Sequence, residues 1–562
     1  MNRTRPEGIS DVAMLALIGV IAGLAALVWL WGGIAGALFG RGWPSVGLAQ
    51  LLAVLTRLPT RLTDPAAAWP AIARPRLPGP EGFYSALGLL LGATAAGSTA
   101  LSRAGWLAWG RRGAGGARWA SARELRPLRS HSTSAARLTL GRHGGRLLHA
   151  EQRHALVAFG PPQSGKSAGL AIPALLEWSG PAVASSIKTD LLGATARRRH
   201  QLGPVFVFDP FGLAGVQSHT WSPLRQARTW DGALEVAWRL AAAGELDRRS
   251  VEGGDFWALA AEQRLAPLLY AASVTGAKID TVVRWVYGQG SRELDEALAQ
   301  AAGQAADEHE LADAHAAYDG VRAFEMQADR TRSSIEATAQ ALLRAYRFTR
   351  VARSAASCEI TADQLLDEAA TLYLIGDAKA SKLLRPIFLA LLSEVVDRAY
   401  ERATLAGGAL ERPLLLCLDE AGNVAPLPNL AEIASTAPSH NIQLVSIFHD
   451  LAQARTRYGQ QTETVVNSHR ARLLLPGVAD LETLRYFAGL VGEEEARDFT
   501  RTTGAGGTTR SSARRRRPLI APEALRQLPH GQALLLYGRI APAMIRLRMW
   551  FADRRMARLG GP

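Results

Sequence analysis

An uninterrupted apolar run lies near the beginning of the chain. Residues Val12 to Phe39 contain no charged side chain and consist largely of Leu, Ile, Val, Ala and Gly. A bilayer core of roughly 30 Å is crossed by about 20 helical residues, so this run predicts a transmembrane helix. Trp29, Trp31 and Trp43 lie near its end, where amphipathic rings favour the membrane interface. A signal peptide is a poorer explanation, because its apolar region covers only about 7–15 residues.

A second apolar run, from Phe83 to Leu101, is shorter and is diluted by Gly, Thr and Ser. Together the two runs predict a membrane anchor over residues 1–110, built as a hairpin of two transmembrane helices with both ends on the cytoplasmic side. The segment between them carries arginines such as Arg57 and Arg74, so the positive-inside rule is obeyed only in part.

After the anchor, short apolar runs of strand length alternate with helical stretches. The predicted strands are Ala155–Phe159, Ala182–Ser186, Val205–Phe208, Thr371–Ile375, Pro413–Leu418, Leu444–Phe448 and Leu473–Leu475. Such an alternation predicts an α/β domain with a mainly parallel sheet, whose ligands bind at the carboxyl ends of the strands.

One interval, residues 231–353, is poor in strand patterns. Ala, Leu, Glu, Gln and Arg recur there with helical spacing. We expect an all-helical domain, inserted between a first part of the α/β domain (residues 111–230) and its second part (residues 354–562). A chain of 562 residues is too long for one compact core, which agrees with such a division.

The chain is basic, with 64 Lys and Arg against 50 Asp and Glu and a formal net charge of +14. This balance permits contact with nucleic acid or anionic lipid, but by itself it proves neither. The two cysteines, Cys358 and Cys417, are far apart and have no cysteine or histidine neighbours. Their spacing predicts neither a metal site nor a disulfide framework.

The clearest motif begins at residue 160, where GPPQSGKS fits the P-loop pattern G-x-x-x-x-G-K-[ST]. It follows a predicted strand and precedes a predicted helix, as a P-loop requires. Lys166 is expected to reach the β- and γ-phosphates of ATP, and the Ser167 hydroxyl to bind Mg²⁺. The predicted nucleotide-binding residues are Gly160, Ser164, Gly165, Lys166, Ser167 and Ala168.

A P-loop needs carboxylates at the end of a neighbouring strand. The buried-strand pattern Pro413–Leu418 ends in Asp419 and Glu420. We expect Asp419 to hold Mg²⁺ together with Ser167, and Glu420 to polarise the attacking water. The pair therefore predicts an ATPase, with ATP and Mg²⁺ as cofactors. Because ATP is cytoplasmic, the long portion that follows the anchor is expected in the cytoplasm.

Three further aspartates, Asp209, Asp377 and Asp450, each follow a strand-like run. For each of them, capping a helix or forming a turn is at least as good an explanation as a catalytic role.

The order of these motifs is similar to that of a known family. The segments that carry the resemblance are GPPQSGKS, SSIKTDLLGATARRR, VFVFDPFG, LLLCLDEAGNVAPLPNLAEIAST, ARTRYGQQTETVVNSHRARLLLPGVADLETLRYFAGLVG and PLIAPEALRQLPHGQALLLYGRIAP. On these residues the chain resembles the type IV coupling proteins, the TraG/TraD-like ATPases of conjugation and type IV secretion. The resemblance covers nearly the whole chain.

The resemblance implies a RecA-like P-loop NTPase domain and a homo-hexameric ring below an anchor in the inner membrane. The inserted helical domain would recognise a DNA–protein substrate. ATP hydrolysis would move single-stranded DNA, with its attached relaxase, toward the proteins of a secretion channel. A channel that follows a phosphate backbone needs cations, and this sequence is rich in arginine.

Two positions depart from the family's pattern. His449 follows the predicted strand that ends at Phe448, where the family usually has a glutamine that senses the γ-phosphate; we predict His449 as the catalytic residue there. The loop Thr436–His440 lacks the arginine that family members often offer to the neighbouring subunit's nucleotide. Either another arginine substitutes or hydrolysis is slow. The candidates are Arg455, Arg457, Arg470 and Arg472.

Two other functions remain open at this point. A nucleotide-binding membrane receptor could recruit secretion substrates with little turnover. A pump for double-stranded DNA usually carries a terminal winged-helix module, and no such module is evident after Pro518. Finally, Arg514–Arg517 follow Gly, Ser and Thr residues and predict a mobile basic loop, which could bind DNA or acidic lipid or have no specific role.

Overall fold

The computed structural model describes residues 11–92, 116–129, 137–248, 254–504 and 507–561. The chain divides into two compact units, Met1–Gly115 and Gly116–Pro562.

The first unit is helical in its described part. It contains α1 (Asp11–Phe39), α2 (Leu48–Arg57) and a further helix over residues 80–92. The indole of Trp31 donates to the carbonyl of Phe83 at 2.7 Å. Within the described residues, one helix segment, Ala22–Phe39, is long and apolar enough to cross a membrane.

The predicted second span, Phe83–Leu101, extends beyond the described residues after residue 92. The transmembrane hairpin is therefore not confirmed, and a multi-pass arrangement is not supported. One apolar helix remains as the candidate anchor.

The second unit is built on one 11-stranded sheet, with strand order β2-β1-β13-β12-β9-β3-β8-β7-β4-β6-β5. Its strands are β1 (Thr139–His143), β2 (Arg146–His149), β3 (Leu156–Phe159), β4 (Ala182–Ser186), β5 (Val205–Phe208), β6 (Thr371–Ile375), β7 (Leu414–Leu418), β8 (Ile442–Phe448), β9 (Ala471–Leu474), β12 (Gln532–Tyr537) and β13 (Ile540–Arg546). A separate two-stranded ladder consists of β10 (Glu493–Gly504) and β11 (Gly507–Pro518).

The second unit also contains helices, some of which cover the two faces of the sheet. They are α3 (Ser167–Glu177), α4 (Asp190–His200), α5 (Trp230–Arg248), α6 (Gly254–Val274), α7 (Ile279–Val286), α8 (Ser291–Gly303), α9 (Glu308–Glu325), α10 (Asp329–Leu343), α11 (Thr349–Arg353), α12 (Ala362–Asp367), α13 (Ala378–Leu405), α14 (Leu430–Thr436), α15 (Leu451–Tyr458), α16 (Thr462–Ser468), α17 (Leu481–Val491), α18 (Pro522–Arg526) and α19 (Arg554–Leu559).

Strand β3 shows why its sequence is apolar throughout. Val157 and Phe159 belong to the hydrophobic core on one face of the sheet, whereas Leu156 and Ala158 belong to the core on the other face. Successive side chains of a strand point to opposite faces, so a central parallel strand needs apolar residues at every position. The short apolar runs of the sequence predicted all seven parallel strands for this reason.

Among the described residues, eight helices, α5 to α12, lie between β5 and β6 in sequence, and the first seven fall where an inserted helical domain is predicted. Their buried residues, such as Val236 and Leu265, belong to the same core as Phe159 of the sheet. The interval is helical, and Ala260, Phe324 and Ile335 form a small separate cluster within it. The proposed domain boundaries stay predictions.

The sheet is mixed rather than mainly parallel at one side, because β12, β13, β1 and β2 are antiparallel to their neighbours. The prediction missed β1 and β2, whose arginines, histidines and glycine hide the strand pattern. The prediction of a basic loop at Arg514–Arg517 is wrong, since these residues lie in β11. Glu494 and Glu495 pair with Arg517 and Arg516, so opposite charges stabilise the ladder at its base.

Candidate active site

The candidate site lies at the carboxyl ends of three strands. In the sheet, β8 lies between β3 and β7, and all three are parallel. Their last residues therefore meet at one edge. This edge carries the P-loop after Phe159, the pair Asp419–Glu420 after Leu418, and His449 after Phe448.

Glycines allow the P-loop to turn tightly at two points. Gly165 has φ +90°, which L side chains rarely adopt. At Gly160 a Cβ would lie 2.5 Å from the Ser164 hydroxyl, so a side chain there would displace Ser164. The Gly160 amide donates to the carbonyl of Phe448 at 3.0 Å, which ties the loop to the neighbouring strand. The fold of the loop thus depends on these two glycines.

Ser167 and Asp419 lie in direct contact, with the Ser167 hydroxyl donating to Asp419 Oδ2 at 2.6 Å. Burial raises the pKa of Asp419 to about 6, although the hydrogen bond from Ser167 opposes this shift. The other oxygen, Asp419 Oδ1, is buried and has no partner among the described residues. A hydroxyl beside an unpartnered carboxylate oxygen suits a hard cation such as Mg²⁺, which prefers oxygen ligands.

Glu420 is the centre of a buried polar cluster. Lys166 Nζ donates to Glu420 Oε1 at 2.5 Å, and His449 Nε2 lies 2.6 Å from Glu420 Oε2. The Asn423 amide donates to Oε2 at 2.8 Å. Burial would raise the pKa of Glu420, but the hydrogen bonds from His449 and Lys166 outweigh burial and lower it to about 2. Glu420 is therefore a carboxylate at neutral pH.

The residues fit a magnesium–nucleotide complex. Ser164 Oγ is buried without a partner among the described residues, as is Asp419 Oδ1. A P-loop with unused acceptors and donors, next to a lysine and two carboxylates, has the donor set that a triphosphate and its metal need. All the predicted site residues lie in this loop, at the start of α3 or at the two strand ends beside it. Their individual roles remain predictions.

Sequence reasoning missed several residues of the site. Gln453 lies four residues after His449, and its Oε1 accepts the His449 amide at 2.7 Å. A second missed residue is Asn423, which lies on the turn after Glu420 and donates to its carboxylate. Residues near the C-terminus also reach the P-loop. Met549 Cε would lie 2.6 Å from a Cβ at Gly165, and the Trp550 amide donates to the Ala168 carbonyl at 3.0 Å.

A buried ion network holds that C-terminal segment in place. Arg548, only 5% exposed, donates to Glu177 at 2.8 Å and to Asp553 at 2.9 Å. Burial would raise the pKa of Asp553, but Arg548 outweighs it and lowers the pKa to about 2. Glu177 ends α3, the helix that the P-loop begins. The network therefore fixes the segment against that helix. No sequence motif predicts this network.

The three other aspartates mostly serve the backbone. Asp377 accepts from the amides of Lys379 and Ala380 at the start of α13, and Asp450 accepts from Gln453 at the start of α15. Both are helix caps, as one of the two sequence interpretations predicts. Asp209 is buried and accepts from the Ala214 amide at 2.7 Å, while its Oδ1 has no partner among the described residues.

Comparison with known proteins identifies this arrangement. The model of the family "Type IV secretory system Conjugative DNA transfer" matches residues 118–561. The chain belongs to this family, the type IV coupling proteins. The resemblance drawn from the sequence motifs is therefore confirmed.

Individual relatives agree with the family. This coupling protein is 25% identical over 408 residues to the conjugal transfer protein TraG of Escherichia coli, covering 68% of this chain and 63% of TraG. It is 22% identical over 427 residues to VirD4 of Rhizobium rhizogenes, covering 74% of this chain and 61% of VirD4. The chain thus spans about three-fifths of the length of these relatives.

Solved structures share the fold. The unbound bacterial conjugative coupling protein TrwB superposes with a TM-score of 0.58 at 18% identity, covering 77% of this chain and 93% of TrwB. TrwB has also been solved with ADP and Mg²⁺; that structure has a TM-score of 0.57 at 17% identity and covers 79% of this chain and 96% of its own. The similarity establishes a RecA-like P-loop fold for this coupling protein.

The candidate arginines of the coupling protein lie in different surroundings. Arg455 pairs with Glu482, Arg457 donates to the Gly422 carbonyl at 2.7 Å, and Arg472 donates to the Val466 carbonyl at 3.1 Å. Arg470 is exposed and forms no ion pair within the described part of the chain.

Arg470 lines a cleft of about 510 Å³ together with Arg153, Arg472 and Ser439. The described residues that line it include no carboxylate. Burial lowers the pKa of His469 in this cleft to about 4, so His469 is neutral and the arginines supply the positive charge. The cleft lies where β3 and β9 begin, at the edge of the sheet opposite to the P-loop.

Proposed function

We propose that this coupling protein is a membrane-anchored ATPase. It couples ATP hydrolysis to the movement of single-stranded DNA, with its attached relaxase, toward a type IV secretion channel. Residues 1–110 anchor it in the inner membrane, with the ATPase domain in the cytoplasm. The helical insertion, residues 231–353, recognises the DNA–protein substrate.

The observation that carries the proposal is the pairing of two motifs across one sheet edge. Lys166 contacts Glu420 at 2.5 Å and Ser167 contacts Asp419 at 2.6 Å, although some 250 residues separate each pair. A P-loop needs these two carboxylates for hydrolysis and not for a merely structural turn. The family, defined by conjugative DNA transfer, supports DNA as the cargo.

Each residue of the site has a separate role in the proposed hydrolysis. The loop from Gly160 to Ala168 would hold the phosphates, and Ser167 with Asp419 would hold Mg²⁺. Bound Mg²⁺–ATP would supply an electrophilic terminal phosphate. Glu420 is the base for the attacking water, and His449 orients it.

Lys166 controls how basic Glu420 is. In this structure Lys166 donates to Glu420, which lowers the pKa of that carboxylate. If Lys166 donated to a phosphate instead, Glu420 would keep His449 and Asn423 but lose one cationic donor. The pKa of Glu420 would then rise, which would make it a better proton acceptor. Phosphate binding and base activation are thereby linked.

We further propose a homo-hexameric ring in which Arg470 reaches the neighbouring subunit's nucleotide. Arg470 lies at the edge opposite to its own P-loop, so it cannot contact its own nucleotide. Its guanidinium lies in the same cleft as Pro438 and Ser439, the loop where the family's arginine is missing. A cation offered in this way can accelerate hydrolysis by about 10³–10⁵.

One alternative has an observation in its favour. Residues 436–440 carry no arginine, and His449 stands in place of a glutamine. A nucleotide-binding receptor that recruits secretion substrates with little turnover would tolerate both departures.

The deciding measurement is the ATPase rate of the full-length chain in detergent, with and without single- and double-stranded DNA. Lys166→Ala and Glu420→Gln are the matched controls. A rate that rises with single-stranded DNA and vanishes in both variants supports the motor. ATP binding without turnover above the variants would instead establish the receptor. If only double-stranded DNA raises the rate, the proposed cargo is double-stranded rather than single-stranded DNA.

A further inference from the structure

The β10–β11 hairpin stands apart from the large sheet. Its twelve backbone pairs connect β10 only to β11, so among the described residues neither strand joins the 11-stranded sheet. Twelve residues of strand span about 40 Å. At its base, the Ala117 amide donates to the Glu493 carbonyl, and the Leu519 amide donates to the Gly492 carbonyl at 3.0 Å.

The register of the hairpin sorts its charges between two faces. Directly paired residues share a face, and faces alternate along each strand. One face holds the odd-numbered positions of β10 and the even-numbered positions of β11, and we call it the basic face. The opposite face, with the remaining positions, is called the neutral face. The basic-face positions hold Arg497, Arg501, Arg510, Arg514, Arg516, Glu493 and Glu495. The neutral-face positions hold Arg515, Arg517, Glu494 and Asp498.

The whole excess of positive charge therefore falls on one face. The basic face carries five arginines against two glutamates, whereas the neutral face carries two of each sign. At the base, Glu493 and Glu495 are exposed, while Glu494 and Ala496 of the neutral face are half-buried. On β10 the basic face is the more exposed one there, while Arg514 to Arg517 of β11 are all exposed.

The backbone register also places like charges opposite each other. Arg497 pairs with Arg514, and Arg501 pairs with Arg510. Directly opposed like charges destabilise a ladder, and a bound polyanion would relieve that cost. Charges that only protect a free strand edge from aggregation need no preference for one face.

The position between the two arginine pairs is occupied by Phe499, opposite Ser512. Alternating cations and an aromatic residue are the pattern that follows the phosphates of a single strand and stacks on its bases. A lipid surface is a poorer match, because neither strand contains Leu, Ile, Val, Met, Trp or Tyr to insert into a bilayer.

We propose that the basic face of the β10–β11 hairpin is a binding site for single-stranded nucleic acid, separate from the nucleotide site. This inference extends the proposed function, because it assigns the DNA contact to a named element. It does not require hydrolysis. On the basic face Glu495 lies opposite Arg516, whereas the Glu494–Arg517 ion pair, at 2.8 Å, lies on the neutral face.

The test compares alternate arginines of one run. Arg514→Gln with Arg516→Gln removes two charges from the basic face, and Arg515→Gln with Arg517→Gln removes two from the neutral face. Binding of a labelled oligo(dT) to the full-length chain in detergent is followed by fluorescence anisotropy without nucleotide. We expect about tenfold weaker binding and a salt slope reduced by about 1.4 for the basic-face variant. The neutral-face variant should change binding by less than about twofold.

Equal effects of the two double variants would overturn the inference, since net charge alone would then explain binding. No effect of either would overturn it as well. Thermal unfolding of both variants must match the parent chain. As a second measurement, an oligonucleotide with 5-iododeoxyuridine should cross-link within residues 493–518; cross-links found only elsewhere would contradict the proposal.

Three further arms separate the possible ligands. Phe499→Ala should weaken oligo(dT) binding and leave duplex binding unchanged. Vesicles of phosphatidylcholine with phosphatidylglycerol should not bind the chain in a manner that depends on Arg514 and Arg516; if they do, the face binds lipid and the inference fails. All binding is repeated in Lys166→Ala. If the parent chain shows face-dependent binding but no DNA-stimulated ATPase, the proposed motor alone is refuted and the binding site stands.

Discussion

The two edges of the large sheet differ in how they hold charge. At the carboxyl edge, Lys166, Asp419 and Glu420 are at least nine-tenths buried; Lys166 donates to Glu420, and Ser167 donates to Asp419. At the amino edge, Arg153 and Arg470 are exposed, and the described lining of their cleft contains no carboxylate. A buried charge requires a partner, whereas an exposed guanidinium does not.

The charges at the carboxyl edge are paired within the chain, whereas the arginines at the amino edge have no carboxylate in the lining of their cleft. At the carboxyl edge the lysine is paired with Glu420 and the Ser167 hydroxyl with Asp419, so each of these buried charges has a partner from the chain itself. The amino edge offers cations without an internal counter-charge. Surfaces of this kind match an anion held by another molecule, and in the proposed ring that anion is the neighbour's nucleotide.

The largest effect should come from Arg470→Ala. We expect turnover to fall about 10³-fold while ATP binding is retained, because the residue lies far from its own P-loop. Arg455→Ala, which removes a cation paired with Glu482, is the control and should change turnover little. ATPase rate and nucleotide affinity are both measured.

Subunit mixing then tests whether Arg470 acts between chains. The Arg470→Ala chain has an intact P-loop, and the Lys166→Ala chain has an intact Arg470. Mixed rings should regain turnover at boundaries that join the two intact parts. If the mixture stays as inactive as each variant alone, the amino edge does not serve a neighbour's site.

The next effect concerns what supports the carboxyl edge. Arg548→Ala leaves Glu177 buried without its cation and Asp553 with Arg142 alone, which should destabilise the folded chain by about 3–5 kcal/mol. Arg292→Ala breaks an exposed pair with Glu296 and should cost less than about 0.5 kcal/mol. Denaturant unfolding measures both. Equal small losses would show that the C-terminal segment does not hold the site.

A smaller effect is expected from Gly165→Ala. An alanine at φ +90° is strained by about 1–2 kcal/mol and would also press on Met549, so nucleotide affinity should fall about tenfold. Gly407 has φ +84° with open space around it, so Gly407→Ala carries the same backbone strain away from the site. Titration of a fluorescent ATP analogue should distinguish the two. Similar affinities in both variants would mean that the loop tolerates the strain.

The smallest effect is a pH dependence at Asp419. Its pKa is raised to about 6 by burial, above an ordinary value near 3.9. The folded state therefore holds this proton more tightly, and the contribution of Asp419 to stability decreases as pH rises from about 4 to about 6. Metal binding has the opposite trend, since only the carboxylate binds Mg²⁺.

Mg²⁺-dependent nucleotide binding should thus weaken several-fold between about pH 7.5 and about pH 5. Calorimetric titration of Mg²⁺ at the two pH values measures it. Asp419→Asn should remove the pH dependence along with most of the metal affinity. An unchanged dependence in that variant would assign the titration to another group.

The sequence was most informative where chemistry and backbone shape are local. A P-loop can be predicted from one octapeptide, because its glycines, lysine and serine all act within one turn and the first turn of α3. The seven parallel strands were visible because both of their faces are buried, which makes every position apolar. Strands β1 and β2 were invisible, since their partly exposed positions hold arginine and histidine.

Contacts between distant segments could not be predicted in this way. No pattern near His449 indicates that Gln453 accepts its amide, or that Met549 packs on Gly165. These contacts depend on strand order and on the path of the C-terminal segment, because Met549 is far from the P-loop in sequence.

By itself, the sequence determined the family, the P-loop, and the carboxylates that complete it, because each is a short run whose residue types dictate its chemistry. Only the tertiary structure decided on which edge or face a charge lies. Sheet order put Arg470 opposite its own P-loop, and strand pairing put Arg514 and Arg516, but not Arg515, on one face with Arg501 and Arg510. The physical reason is that a face is a property of paired strands, and pairing joins residues that the sequence keeps apart.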